Sequence, residues 1–330
     1  MTTFAVLGTG GWGTAVALHL AQNPAHSVRL WGARSDNVEQ LRATRENARL
    51  LPGASIPEAV TITGDERQAT AGADYWIAAI PTAYLRETLK RFVPHRDADT
   101  PVVSLTKGLE VGTFARPSEI ISELLRTENV AVLSGPSHAE EVARGLPTSL
   151  VVAAESDLAA RVQRHFGTER FRVYTNTDVA GVELAGALKN VMGVAAGVCD
   201  GLGFGDNAKA ALLTRGLVEM SRFGVAHGAD PATFHGLAGI GDLITTCFSP
   251  HGRNRRVGFR LGKGEPLADV LSGPQVAEGV WTAKSVHERA ARTGIETPIM
   301  EAVYGVLHAG LPPLAAMQRL MSRAQKNERA

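Results

Sequence analysis

Phe4-Ala5-Val6-Leu7-Gly8-Thr9-Gly10-Gly11-Trp12-Gly13 is an apolar run that breaks into glycines and resumes with helical spacing. Phe4–Leu7 reads as a strand and Trp12–Gln22 as the helix after it. Between them, Gly8, Gly10 and Gly13 stand at the spacing of a dinucleotide fingerprint. Gly8 permits the tight turn, Gly10 lets the backbone approach a pyrophosphate, and Gly13 lets helix and sheet touch. The amides that open the helix offer donors and a partial positive charge to phosphates. Any glycine-rich turn can imitate this spacing, so the strand before it and the helix after it carry the reading.

Outward from that turn, short apolar strands alternate with amphipathic helices. Val28–Trp31, Tyr75–Ile80, Val102–Leu105, Val130–Leu133 and Ser149–Ala153 read as strands. Near-continuous apolar strands separated by helices indicate a parallel sheet covered on both faces. After about Asp178 the periodicity turns helical, with no convincing strand. Thr177–Val198, Asn207–Gly224, Pro231–Leu237, Thr282–Thr293 and Pro298–His308 are the main helical stretches. The expectation is an α/β Rossmann-like domain with a mostly parallel sheet over 1–179, then an all-α substrate domain over 180–330. A chain of 330 residues is long enough for two cores.

Composition bounds the class without giving the chemistry. A net charge of +1 gives no bulk attraction to nucleic acid or a membrane surface. The start has no basic region ahead of its apolar run, so a signal peptide is not expected. Glu183 and Lys189 interrupt the best candidate for a membrane span. Cys199 and Cys247, in no metal-ligand spacing, are expected to be reduced core residues of a cytoplasmic protein. No metal site is expected.

Lys189 stands inside the apolar run Ala180–Val198, flanked at helical spacing by Gly186 and Gly193. Glycines on one helix face suggest room kept open beside the ammonium. A desolvated lysine can exchange protons or neutralise an anion; the alternative is a snorkelling side chain that covers core.

Ligands on parallel sheets bind beyond the carboxyl ends of the strands. That rule brings Lys107, after the strand ending at Leu105, to the crevice, with Gly108 allowing close approach. It also brings Ser134-Gly135-Pro136-Ser137 there. Ser137 with Glu140 matches a capping box for a helix over Ala139–Arg144 closed by Gly145, which competes with ligand contact by its hydroxyl. His138 shares that loop without partner spacing that marks it as a base. The position for a ribose-binding acid reads Trp31-Gly32-Ala33-Arg34-Ser35, with no carboxylate and with Arg34 able to accept a 2′-phosphate, so NADP is allowed beside NAD. In the helical half, Asp242 follows Gly239 and Gly241, next to Thr245 and Thr246. It is either a helix N-cap or a group that orients a lysine or a substrate hydroxyl. Arg253-Asn254-Arg255-Arg256 is either a solvated basic face or a donor set for phosphate.

Together these segments resemble the bacterial NAD(P)-dependent glycerol-3-phosphate dehydrogenases nearly end to end. The resemblance is carried by GTGGWGTA at 8–15, TKGLE at 106–110, SGPSHAEEVARGLPT at 134–148, ALKNV at 187–191, GFGDNAKAALLTRGL at 203–217, GIGDLITTC at 239–247 and RNRR at 253–256. It implies reversible reduction of dihydroxyacetone phosphate to sn-glycerol 3-phosphate for phospholipid synthesis, by a homodimer. It makes Lys189 the proton donor and acceptor, with Lys107 and Asp242 beside it. Lys107, Gly135, Ser137, Asp242, Gly252, Arg253 and Asn254 would surround the substrate, and Thr246 would help hold the Lys189 head. Gly8, Gly10, Gly11, Trp12, Gly13, Ala33, Arg34, Lys107, Ala139, Arg253, Val276 and Glu278 would lie along NAD or NADP. Gly11 and Gly252 replace serines common in the family, so only their backbones can bind. Ala33 replaces a frequent basic residue, which weakens the case for NADP.

Overall fold

The computed structural model describes residues 1–97, 99–273, 276–325 and 327–328. The first half runs β1 (Thr2–Leu7), α1 (Gly11–Leu20), β2 (His26–Trp31), α2 (Ser35–Thr44), β3 (Val60–Thr63), α3 (Glu66–Thr70), β4 (Tyr75–Ala78), α4 (Thr82–Lys90), β5 (Val102–Ser104) and α5 (Pro117–Leu125). It continues through β6 (Val130–Ser134), α6 (Ala139–Ala143), β7 (Thr148–Ala153), α7 (Ser156–Phe166) and β8 (Phe171–Asn176). The rest is helical: α8 (Val179–Leu202), α9 (Gly205–Val225), α10 (Asp242–Phe248), α11 (Arg253–Gly262), α12 (Leu267–Leu271), α13 (Glu278–Thr293), α14 (Pro298–His308) and α15 (Pro313–Met321).

The strands form one sheet in the order β3-β2-β1-β4-β5-β6-β7-β8, parallel throughout except for the antiparallel pair β6–β7. β1 shows why Phe4–Leu7 is apolar at every position: Phe4 and Val6 join the core on one face, Ala5 and Leu7 the core on the other. The strand order reverses between β1 and β4, and it is beyond the strand ends at such a switch point that sheets of this kind bind ligands.

The expected elements appear with shifted ends. Two strands escaped the sequence reading. β3 is only four residues long, and the edge strand β8 carries exposed polar positions that mask its pattern. Pro231–Leu237 is not one helix. A short 3-10 turn over Pro231–His235 gives way to a π-helical turn over Leu237–Gly241, which runs directly into α10.

α8 is the axis of the helical half. By length and hydropathy it could cross a membrane, but 89% of its most apolar window is packed inside the protein, as the core helix of this fold. Its glycines record close crossings. A Cβ on Gly197 would lie 1.9 Å from the Arg255 carbonyl oxygen, and one on Gly258 of α11 would lie 1.9 Å from the Val194 carbonyl oxygen. Gly186 and Gly193 follow the same logic and do not leave empty room. A Cβ on Gly186 would meet Ser134 Oγ at 2.9 Å and the Lys107 stem at 3.7 Å, and one on Gly193 would meet Thr246 Cγ2 at 2.7 Å. The small residues bring partners up to Lys189 from both sides.

Candidate active site

The glycine turn is built from backbone. Gly8 has φ +128, and a Cβ there would come 2.5 Å from the Ala79 carbonyl oxygen across the switch point. A Cβ on Gly13 would come 2.1 Å from the Gly8 carbonyl oxygen, so the helix lies directly on the turn. Gly11 faces the Leu50 carbonyl oxygen at 2.7 Å from such a Cβ, which explains why no serine fits this backbone. Gly10, by contrast, faces open space, and no side chain caps the first amides of α1. An open side at the one glycine that must face phosphates, above uncapped donors, fits a dinucleotide. Trp12, in the first turn of α1, keeps its Nε1 buried without a hydrogen-bond partner among the described residues, and Ala139 packs close to Gly11.

Ala33 and Arg34 lie exposed beyond β2. The expectation that no carboxylate stands there is corrected by the structure. Asp36 lies beside Arg34, with Nε to Oδ1 at 3.2 Å and Nη2 to Oδ2 at 2.6 Å. The acid was hidden because it comes two residues after the arginine, in the first turn of α2.

On the other side of the crevice the site is made of charge. Lys189 donates to Asp242 Oδ1 at 3.1 Å and to Thr246 Oγ1 at 2.6 Å. Lys107 donates to Asp242 Oδ2 at 2.7 Å, to the Gly135 carbonyl at 2.8 Å, and to Ser137 Oγ at 3.4 Å. One buried carboxylate therefore bridges two ammonium groups brought from a sheet loop and a core helix. Asp242 is not a helix N-cap. Gly241 holds that place, and the π-helical turn before it delivers the carboxylate to the lysines. Ser137 makes no capping box either: His138 is the N-cap of α6, without a side-chain cap, and the Ser137 hydroxyl donates to the Gly135 carbonyl. A charged donor, Lys107, outcompetes a backbone amide for that oxygen.

Burial pushes Lys189 down to about 8; Asp242 opposes this and Lys107 adds to it. Burial alone would raise Asp242, but Lys107 and Lys189 outweigh it and hold the carboxyl below its ordinary value. His138 is lowered by burial and then by the Lys189 charge, so it stays neutral beside the pair.

Arg253 opens α11. Its side chain is exposed, yet the surrounding protein lowers its pKa, as expected for a group inside a cleft. It makes no hydrogen bond or salt bridge within the described residues, and Glu278 and Glu140 act on it only at longer range. Gly252 precedes it where a Cβ would come 2.6 Å from the Thr246 carbonyl oxygen. Arg255, by contrast, pairs with Asp200 at 2.7 Å. Asn254 is not poised as a donor with its side chain. It is buried, donates to Asn190 Oδ1 at 2.8 Å, and accepts from the Gly279 amide at 2.9 Å. Asn190 in turn donates to the Lys107 carbonyl at 3.1 Å, so α11, α8 and the Lys107 loop share one polar chain.

Glu278, at the start of α13, accepts from the Thr82 amide at 2.8 Å and is pushed up to about 7, chiefly by burial. Its Oε2 has no hydrogen-bond partner among the described residues. Gly108 admits this contact: a Cβ there would lie 2.3 Å from Thr82 Oγ1 and 2.7 Å from Glu278 Oε2. Val276 is half-buried just ahead of α13. Asn190, Thr82 and Asp36 were missed as site residues; Asn190 alone carried a signal, as an amide in an apolar helix. Glu183, noticed only as a charge, ties α8 to the start of α5 by accepting from the Ser118 amide at 2.8 Å and from Arg116 at 3.2 Å.

The chain is similar to known proteins along nearly its whole length. The family model for the NAD-dependent glycerol-3-phosphate dehydrogenase N-terminus matches residues 3–160, and the one for its C-terminus matches 178–318. A glycerol-3-phosphate dehydrogenase [NAD(P)+] of Chlorobium phaeobacteroides is 48% identical over 328 residues, covering 98% of each chain. One of Streptomyces griseus is 46% identical over 329 residues, again covering 98% of each. The crystal structure of glycerol-3-phosphate dehydrogenase from Coxiella burnetii superposes with a TM-score of 0.93 at 39% identity, covering 98% of this chain and 99% of that one. The chain belongs to the NAD-dependent glycerol-3-phosphate dehydrogenase family.

Proposed function

We propose that this chain reversibly reduces dihydroxyacetone phosphate to sn-glycerol 3-phosphate with NADH or NADPH, supplying glycerophospholipid synthesis. The observation that carries this reading is Asp242 bridging Lys107 and Lys189 while the Arg253 guanidinium has no hydrogen-bonding partner among the described residues. Gly8, Gly10, Gly11, Trp12, Gly13, Ala33, Arg34, Ala139, Val276 and Glu278 would hold the nucleotide, which supplies the hydride at C2 when bound.

Lys189 acts on the proton. With a pKa of about 8 it is mostly an ammonium at neutral pH, and it protonates the alkoxide that develops at C2. In the oxidative direction the neutral amine takes the proton back. Lys107 places a second positive charge beside the same oxygen. Asp242 and Thr246 fix the Lys189 head, and Ser137 and Gly135 fix that of Lys107. Arg253, with the backbone amides at Gly252 and Asn254, clamps the phosphate and turns its binding energy into orientation. The division into a nucleotide domain over 1–179 and a substrate domain over 180–330, a cytoplasmic location and a homodimeric state belong to the same reading.

Purified protein, reduced nucleotide and dihydroxyacetone phosphate test it directly. The nicotinamide absorbance should fall with NADH, NADPH or both. No change with either nucleotide would overturn the reading, and turnover only on a 2-keto acid would move it to a hydroxy-acid dehydrogenase.

A further inference from the structure

Beyond β2 the chain is pinned to the glycine turn. A Cβ on Gly32 would meet Thr9 Cγ2 at 3.0 Å, and Asn37 donates to Thr9 Oγ1 at 2.9 Å. A dinucleotide whose pyrophosphate lies on α1 therefore brings its adenosine ribose to this loop. Arg34 is the cation exposed there. One edge of its guanidinium, Nε and Nη2, already faces one carboxylate, at 3.2 and 2.6 Å, and both side chains are open to solvent. That guanidinium holds the Asp36 carboxyl below its usual range, so the pair is ionised at neutral pH.

We propose that Asp36 sets the nucleotide preference of this chain by holding one edge of the Arg34 guanidinium and placing a like charge where a 2′-phosphate would bind. A 2′-phosphate must displace the carboxylate from that edge or take the remaining donors, and in either case tolerate a like charge beside it. A ribose 2′-hydroxyl meets neither obstacle and can donate to Asp36. Asp36 thus does the work of the acid that usually ends the second strand, from a position two residues beyond the arginine. Its neighbour explains how an arginine at this site can coexist with use of NAD.

The inference rests on the glycine turn holding a dinucleotide, and calorimetric titration separates the two ideas. Adenosine 5′-monophosphate and adenosine 2′,5′-bisphosphate differ only in the 2′-phosphate. Measurable binding of the monophosphate by the natural chain supports the site; its absence would remove both the site and this inference. In Asp36→Asn the bisphosphate should bind about fivefold more tightly, the scale of an exposed ion pair, and the monophosphate within about twofold. The gain should shrink at high salt and be clearly smaller in an Arg34→Gln background. The ratio of kcat/KM for NADPH over NADH should rise in step. An unchanged bisphosphate affinity, an equal gain for both ligands, or a full gain without Arg34 would each overturn the proposal.

Discussion

The glycine turn after β1 and the lysine pair around Asp242 are made of opposite materials. The turn has no charge of its own. Its capacity comes from absent side chains, which let carbonyls and amides approach to distances no Cβ would allow. The pair depends chiefly on side chains: a buried carboxylate, two ammonium groups and a threonine, each held by another element. A backbone site tolerates no added atom, whereas a charge site tolerates no lost charge. The two regions should therefore fail in different ways.

The sharpest contrast comes from Asp242→Asn. It leaves two buried ammonium groups without a counter-charge, so kcat should fall about 100- to 1000-fold while nucleotide affinity holds. Because Asp242 raises Lys189, the pH at which the remaining turnover is lost should move below about 8. Gly13→Ala should do the reverse, weakening nucleotide binding about 100-fold, since its Cβ has no place beside the Gly8 carbonyl. A lower Tm would accompany it, and the folded fraction can be titrated directly with NADH. Unimpaired binding would break the comparison on the backbone side. Arg253→Ala should raise KM for dihydroxyacetone phosphate about 10- to 30-fold with a smaller change in kcat, as expected for loss of one charged clamp.

The pH dependence is gentler and tests the charge side without mutation. The folded pKa of Lys189 lies below its ordinary value, so the donor form is lost as pH rises through about 8. The reductive kcat should fall across that range and the oxidative kcat should rise. Profiles flat from pH 7 to pH 9 in both directions would place the proton elsewhere.

The same division governs how much could be read from sequence. The turn was legible because its logic is local: a strand, spaced glycines and a helix lie within twenty residues of chain. The change from sheet to helices near Asp178 was legible for the same reason, since period and composition switch together. Lys189 stood out as a cation in an apolar helix, but its partners did not. Asp242 reaches it only through a π-helical turn, and Lys107 only through the sheet, so neither contact has a local pattern. Gly186 and Gly193 were read as open room because sequence shows a missing side chain and not what fills its place. Asn254 looked like a phosphate donor until Asn190 and the Gly279 amide were seen to engage it. The capping box at Ser137 failed to form because Lys107, far away in sequence, offers its hydroxyl a charge.

The central claim is that the Lys189 amine carries the proton and does not merely support the fold. Turnover of Lys189→Ala, measured together with its affinity for the reduced nucleotide, tests it most directly. The account expects kcat to fall at least about 1000-fold with nucleotide affinity within about threefold of the natural chain. A variant that turns over within tenfold of the natural chain would contradict it.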